Sequence, residues 1–186
     1  MQEKENVLRI LEEAKKAIEI GDALEIKNLS NQTINTASLI QDPDNIAVAV
    51  IVYSLSKIIE RENYKQLPGW SKFYKIIINS ITCSIEDIKK NNEKKFREDF
   101  ELIRGAIGKL SGKLKSYIQD VFRKAQINKA SRIYEHGISM EQTAKLLGIT
   151  MFELAEYAGK TGIPDVPLGK TMDVKSRIKL VRDIFE

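Results

Sequence analysis

Apolar residues recur at intervals of three and four along almost the whole chain. Between Val7 and Ile18 they line one helical face, and Gly21 follows as a helix end. No stretch alternates between apolar and polar residues for long enough to suggest a sheet. Four prolines and ten glycines in 186 residues are few, which favours long uninterrupted elements. The sequence therefore predicts an all-α fold.

Caps and breakers divide this pattern into helices. Asp42 is typical of an N-cap, and Pro43 suits the first helical position after it. The helix that follows is apolar nearly all round from Ile46 to Tyr53, which predicts a place at the centre of a bundle. The segment LPGW at 67–70 is a break, with Trp70 as an anchor for the next helix. Predicted helices cover about residues 4–20, 23–40, 43 onward, 71–90, 93–110, 114–135, 140–147, 151–158 and 174–185.

These helices predict two parts, a helical bundle over 1–112 and a helix-turn-helix module with a C-terminal basic helix over 113–186. Two short helices cannot bury both of their apolar faces alone, so they need a third helix beneath them. The helix over 114–135 is the candidate, because only Gly137 separates it from them. We expect its first half to enter the bundle through Leu114, Ile118 and Val121, and its second half to support the module through Ala130 and Ile133.

The stretch GISMEQTAKLLGITMFELAEYAGKTGI carries the signal for the helix-turn-helix. Ala144 is the small residue needed where two helices cross, and Gly148 is a turn residue that tolerates positive φ. Both helix starts resemble capping boxes, Ser139 with Gln142 and Thr150 with Glu153. The apolar residues that would pin the two helices to a third are Leu147, Ile149, Leu154 and Tyr157.

The leading hypothesis is a non-enzymatic DNA-binding transcription regulator whose bundle serves for dimerisation or partner binding. A DNA reader usually carries basic or amide side chains at the start of its second helix. That helix lacks them here, and residues 131–160 have a net charge of −1. Attraction to phosphate would come from flanking basic segments. These comprise Lys109, Lys113, Lys115, Arg123, Lys124 and Lys129 on one side, and Lys170, Lys175, Arg177, Lys179 and Arg182 on the other.

The alternative hypothesis is a protein-interaction module, such as an antitoxin-like or scaffold component, in which the same motif docks a protein partner. It rests on the acidic and apolar character of the second motif helix, chiefly Met151 and Phe152. Under this hypothesis the partner is either another protein or a second copy of the chain, which would form a homodimer. Under either hypothesis the candidate contact residues are Lys145, Thr150, Met151, Phe152, Glu156, Lys160, Lys170, Lys175, Arg177 and Lys179.

The stretch QTAKLLGITMFELAEYAGKTGIPD, about thirty residues with its flanks, resembles the C-terminal half of small prokaryotic antitoxin-like proteins. In that family a helix-turn-helix ends in a similar pattern, A-x-L-L-G-I-[ST]-x-x-E-[LF], followed by G-I-P. Here the pattern runs from Ala144 to Leu154, and Gly162, Ile163 and Pro164 follow. The resemblance implies DNA-binding autoregulation or neutralisation of a partner. Residues 1–120 have no counterpart in that family.

Composition argues against several other classes. A single cysteine, Cys83, excludes an internal disulfide, and one histidine, His136, leaves little material for a metal site or for histidine-based catalysis. We expect no enzyme active site and no cofactor. Charges interrupt the apolar positions of residues 1–20, unlike a signal peptide, and the longest apolar run is too short for a membrane span. The expected location is cytoplasmic.

Two smaller expectations concern single features. Cys83 lies in a helix with Ile77, Ile78 and Ile81, which predicts a small packing residue rather than a reactive thiol. The polar run at 28–35 could line a pocket in the bundle. The preferred interpretation is that its side chains face solvent or bond back onto the helix.

Overall fold

The computed structural model describes residues 1–161, and every regular element in that range is helical. The predicted connector at 162–169 and the predicted basic helix at 174–185 lie outside the described residues. The α-helices are α1 (Lys4–Ile20), α2 (Ala23–Ile40), α3 (Pro43–Ile59), α4 (Trp70–Lys89), α5 (Glu93–Gly108), α6 (Gly112–Glu135), α7 (Met140–Leu147) and α8 (Met151–Thr161), with a short 3₁₀ helix over Glu62–Gln66 between α3 and α4.

Local capping chemistry sets these boundaries largely as predicted. Gly21 ends α1 in the left-handed conformation, with φ of 78°. The Asp42 carboxylate accepts a hydrogen bond of 2.9 Å from the backbone N–H of Asp44, and Pro43 occupies the first position of α3. Trp70 begins α4 and is buried, which confirms its predicted role as an anchor. None of the helices of residues 1–161 is long and apolar enough to cross a membrane.

The larger core forms around α3. Residues on nearly every side of this helix are buried, as its apolar sequence predicts. They pack with α1, α2, α4, α5 and the first half of α6. Leu114, Ile118 and Val121 of α6 belong to this core, which confirms their predicted burial in the bundle.

A second, smaller core forms where α6 continues beyond the first. Ala130 and Ile133 of α6 lie in it, together with apolar residues of α7 and α8. This confirms that α6 runs unbroken from one core to the other and supports both short helices. The second core also includes Ile34 of α2 and Val50 of α3, which the sequence did not indicate. The division at 112/113 stays a prediction.

The polar run of α2 is partly buried. Thr33 donates to the carbonyl of Leu29 at 3.0 Å, one turn back, as predicted for this residue type. Ser30 instead donates at 2.7 Å to the carbonyl of Ala49 and so joins α2 to α3. Because both hydroxyls have partners, their burial costs little.

The packing role predicted for Cys83 is wrong. Its side chain is exposed, because the buried face of α4 is formed by residues such as Ile77, Ile81 and Ile85, and position 83 falls on the opposite side. Burial of part of the thiol and the carboxylates of Asp99 and Glu86 raise its pKa. A raised pKa lowers the thiolate fraction at neutral pH, so this thiol is a weak nucleophile.

Candidate interaction site

Helices α7 and α8 meet in a tight turn. Gly148 ends α7 with φ of 63°, the left-handed conformation predicted for it. The backbone N–H of Ile149 then donates to the carbonyl of Ala144 at 3.0 Å, closing the turn. Since glycine adopts this conformation without a Cβ clash, the chain can reverse within three residues and begin α8 at Met151.

Apolar residues of both helices face α6. Ala144, Leu147 and Ile149 are buried there, and Leu154 has no exposed surface. Tyr157 is only half-buried, and its hydroxyl accepts a hydrogen bond of 3.1 Å from the side-chain amide of Asn128 on α6. The two short helices are therefore held by a continuous apolar contact and are not a loosely tethered appendage.

The two predicted capping boxes differ. At α8 the box is reciprocal: the Thr150 hydroxyl accepts from the N–H of Glu153 at 3.2 Å, and the Glu153 carboxylate accepts from the N–H of Thr150 at 2.9 Å. At α7 only half is formed, where Ser139 accepts from the N–H of Gln142 at 3.2 Å. The Gln142 amide donates to Gln41 instead, so it ties α7 to the end of α2.

Arg123 of α6 reinforces the start of α8. Its guanidinium donates to the Glu153 carboxylate, with an Nε–Oε1 distance of 2.9 Å, and to the carbonyl of Gly148 at 3.3 Å. Hydrogen bonds from the Thr150 backbone and hydroxyl, followed by Arg123, lower the pKa of Glu153 to about 2. The Glu153 carboxylate therefore joins the first turn of α8 to α6, next to the tight turn between α7 and α8.

We expect Glu153→Gln to lower the thermal unfolding midpoint at pH 7. The folded-state pKa of Glu153 lies below its ordinary value of 4.5, so its contribution is present above that value and is lost as pH falls towards 2. In circular dichroism melts at pH 7, 4.5 and 2.5, the difference in unfolding midpoint between wild type and variant should become smaller as pH falls. Glu156→Gln is the matched control, because Glu156 pairs only with the exposed Lys160 among the described residues. Equal melting of Glu153→Gln and wild type at pH 7 would contradict this role.

The first turn of α8 exposes large apolar side chains. Phe152 is 88% exposed and Met151 is 51% exposed. Thr150, Glu156 and Lys160 are also exposed, as is Lys145 on α7. The remaining candidate contact residues, Lys170, Lys175, Arg177 and Lys179, lie outside the described residues. Met151 and Phe152 together are called the α8 patch below.

Most of the basic side chains near this patch have acidic partners. Lys160 pairs with Glu156, and Lys124 pairs with Asp120 at 2.8 Å. Arg123 is committed to Glu153, as described above. The two lysine pairs are well exposed and therefore weak, so of these three residues only Arg123, which also donates to the Gly148 carbonyl, is engaged by more than a surface pair.

Lys129 is a further departure from expectation, because the sequence grouped it with the basic residues that flank the motif and would attract phosphate. Its side chain has no exposed surface. The Nζ atom donates to the side-chain oxygen of Asn31 on α2 at 2.9 Å and lies 4.4 Å from the ring centre of Tyr53 on α3. Burial, with smaller contributions from the nearby charges of Arg132 and Lys27, lowers its pKa to about 7. A side chain enclosed in this way cannot contact phosphate.

Two clefts flank the α7–α8 pair. One, of about 530 Å³, lies between α3, α6 and α8 and has both acidic and basic residues in its walls, including Lys57, Glu60 and Glu156. The other, of about 680 Å³, lies between α3, α5, α6 and α7 and is described below as the α3–α7 groove. Within residues 1–161 no group of three His, Cys, Asp or Glu side chains could hold a metal ion.

Comparison with protein-family models, with curated proteins and with solved structures finds no match to this chain. Over residues 1–161 the fold is all-helical, and its second core carries two short helices with an exposed apolar patch. The resemblance to antitoxin-like proteins over 144–164 stays a prediction.

Proposed function

We propose that this protein is an interaction module in which α7 and α8 act as a helix-turn-helix that docks a protein partner through the α8 patch. The observation that carries the proposal is the 88% exposure of Phe152 on a helix whose opposite face, at Leu154, is fully enclosed. Aromatic side chains and methionine are enriched at protein interfaces, where their burial supplies much of the binding energy.

Exposure of an apolar residue does not by itself identify a docking surface, since single exposed apolar residues are common. Ile20 and Leu24, around the turn between α1 and α2, are also exposed. The α8 patch differs because it lies on the first turn of a helix fixed at both its cap and its buried face. A rigid presentation lowers the entropy cost of binding, which favours Met151 and Phe152 as the contact residues.

DNA binding remains the second candidate, supported by the arrangement of α7 and α8 and by the net charge of +4 of the whole chain. Met151, Phe152 and Glu156 of α8 offer no donors for base edges or phosphate. The DNA hypothesis thus depends chiefly on Lys170, Lys175, Arg177 and Lys179.

A double variant, Met151→Asp with Phe152→Asp, tests the proposal. Both side chains are exposed, and aspartate is favoured in the first turn of a helix, so the variant should remain folded with a free energy of unfolding within about 0.5 kcal/mol of wild type. Proteins retained from a cell extract would be identified, purified and tested again by calorimetry. We expect a purified partner to bind wild type and to lose at least about tenfold in affinity with the double variant.

Leu24→Asp is the matched control, because Leu24 is 68% exposed on a different surface and should leave binding unchanged. Electrophoretic mobility shifts on the same samples distinguish the two candidates. DNA binding that weakens steeply with salt and survives the double variant would overturn protein docking as the function of α8. Absence of any purified partner that discriminates the variants would also contradict the proposal.

A further inference from the structure

The floor of the α3–α7 groove is formed by apolar side chains, and Gln119 and Gln126 of α6 also line the groove. Its volume of about 680 Å³ lies within the range of roughly 300–1,000 Å³ found for binding clefts in proteins. Helices α3, α5, α6 and α7 all contribute apolar side chains to it. They include Ile46, Val50, Ile107, Phe122, Leu146 and Leu147.

The charged residues that line the groove are of one sign. They are Arg104 on α5 and Lys145 on α7, and no acidic residue of the described chain lines it. Arg104 pairs with Glu101 at 2.9 Å, but both side chains are well exposed, so that pair contributes little and can exchange for another carboxylate. Lys145 has no ion pair within residues 1–161. The cleft between α3, α6 and α8, in contrast, mixes both signs.

We infer that the α3–α7 groove binds an acidic amphipathic helix of a partner protein. Apolar side chains at spacings of three and four would enter the floor, and carboxylates beside them would meet Arg104 and Lys145. A helix suits this groove better than an extended peptide, because the walls are helices whose backbone groups already bond internally. They offer no edge for main-chain pairing, whereas a helix satisfies its own backbone.

This groove is a different surface from the α8 patch, so the inference does not rest on the proposed function and the two can fail separately. Gly148 lines the groove and lies three residues before Met151 in the chain. A single partner could therefore occupy both surfaces. Binding to one is nevertheless measurable without the other, by comparing groove variants with the Met151→Asp and Phe152→Asp double variant.

The probe is a fluorescein-labelled helical peptide of about eighteen residues, with leucines on one face and glutamates flanking them. Fluorescence anisotropy with the full chain should show saturable binding that weakens as salt is added. A peptide of the same composition in scrambled order, and one with lysine for every glutamate, should each bind at least about tenfold more weakly.

Charge reversal at the groove, Arg104→Glu with Lys145→Glu, should weaken binding of the acidic peptide by at least about tenfold. The control is Lys94→Glu with Lys113→Glu, which changes the net charge equally on exposed residues elsewhere and should leave binding unchanged. Like Arg104, Lys94 has an exposed acidic partner on its own helix, Glu98.

A second variant, Ala47→Leu, fills the groove from the half-buried wall of α3 without introducing charge. It should remove peptide binding while the thermal midpoint stays close to that of wild type. Equal binding of acidic and scrambled peptides, or no effect of charge reversal, would overturn the inference. Binding of dodecanoate without binding of the acidic peptide would also overturn it, in favour of a small amphiphile as the occupant.

Discussion

Leu154→Ala is expected to lower the free energy of unfolding by about 2–5 kcal/mol. Leu154 has no exposed surface and lies in the second core with Ala130 and Ile133 of α6. Truncation would remove its transfer free energy and leave a cavity between α8 and α6. Because the cost of a cavity depends on how far the surroundings collapse, the result also measures how firmly α8 is held. Urea unfolding followed by circular dichroism provides the measurement.

Phe152→Ala is the matched comparison, two residues away on the same helix. Its ring is 88% exposed, so its truncation should change the free energy of unfolding by no more than about 0.5 kcal/mol. A large stability loss in Phe152→Ala, or a loss below about 1 kcal/mol in Leu154→Ala, would show that α8 is oriented differently. The apolar patch and the proposed docking function would then be wrong together.

Features set by local chemistry were predictable from the sequence. Gly148 takes positive φ, Pro43 follows its N-cap, and the three-and-four spacing identifies the buried face of α1. Each of these depends on residues within one or two turns of one another. The role of α6 was also predictable, because two short helices next to one long helix leave few ways to bury their apolar faces.

Features that depend on packing between distant helices were not predictable. The spacing around Cys83 fitted a buried position, but α1 and α5 pack against the opposite face of α4 and leave Cys83 exposed. Gln142 bonds to Gln41, one hundred and one residues away, instead of completing its own capping box. The α3–α7 groove combines residues of four helices, so no segment of the sequence contains its pattern. Local signals determine elements, whereas the candidate sites arise from their assembly.

The environment of Lys129 also depends on packing between distant helices. A lysine at 129 in the sequence resembles any other charge on a helix, yet its environment is Asn31 of α2 and the ring of Tyr53 on α3. No carboxylate of residues 1–161 lies within ion-pair distance of it. The charged form therefore bears an uncompensated desolvation cost, which is the main cause of its lowered pKa.

The direction of the pH dependence follows from proton binding in the two states. With a folded-state pKa of about 7 against 10.5 for an ordinary lysine, the unfolded chain binds more protons between these values. Stability due to this residue therefore rises with pH from about 7 towards 10.5. Below about pH 7 the lysine is charged in both states and its cost is fully present. The full change is on the order of 2–5 kcal/mol.

Lys129→Met keeps the length of the side chain and removes the charge. At pH 6 the variant should be more stable than wild type by about 1–4 kcal/mol, because methionine is not penalised by burial while the hydrogen bond to Asn31 and the contact with Tyr53 are lost. The gap should narrow as pH is raised to 9.5, since wild type then buries a neutral amine. Urea titrations at pH 6, 8 and 9.5 measure this difference in the free energy of unfolding.

Groups such as Cys83 titrate in both proteins and cancel in the difference. Lys124→Met, at an exposed position of the same helix, should show no such trend. A gap that stays constant with pH would mean that the Lys129 amine does not lose its proton inside the fold.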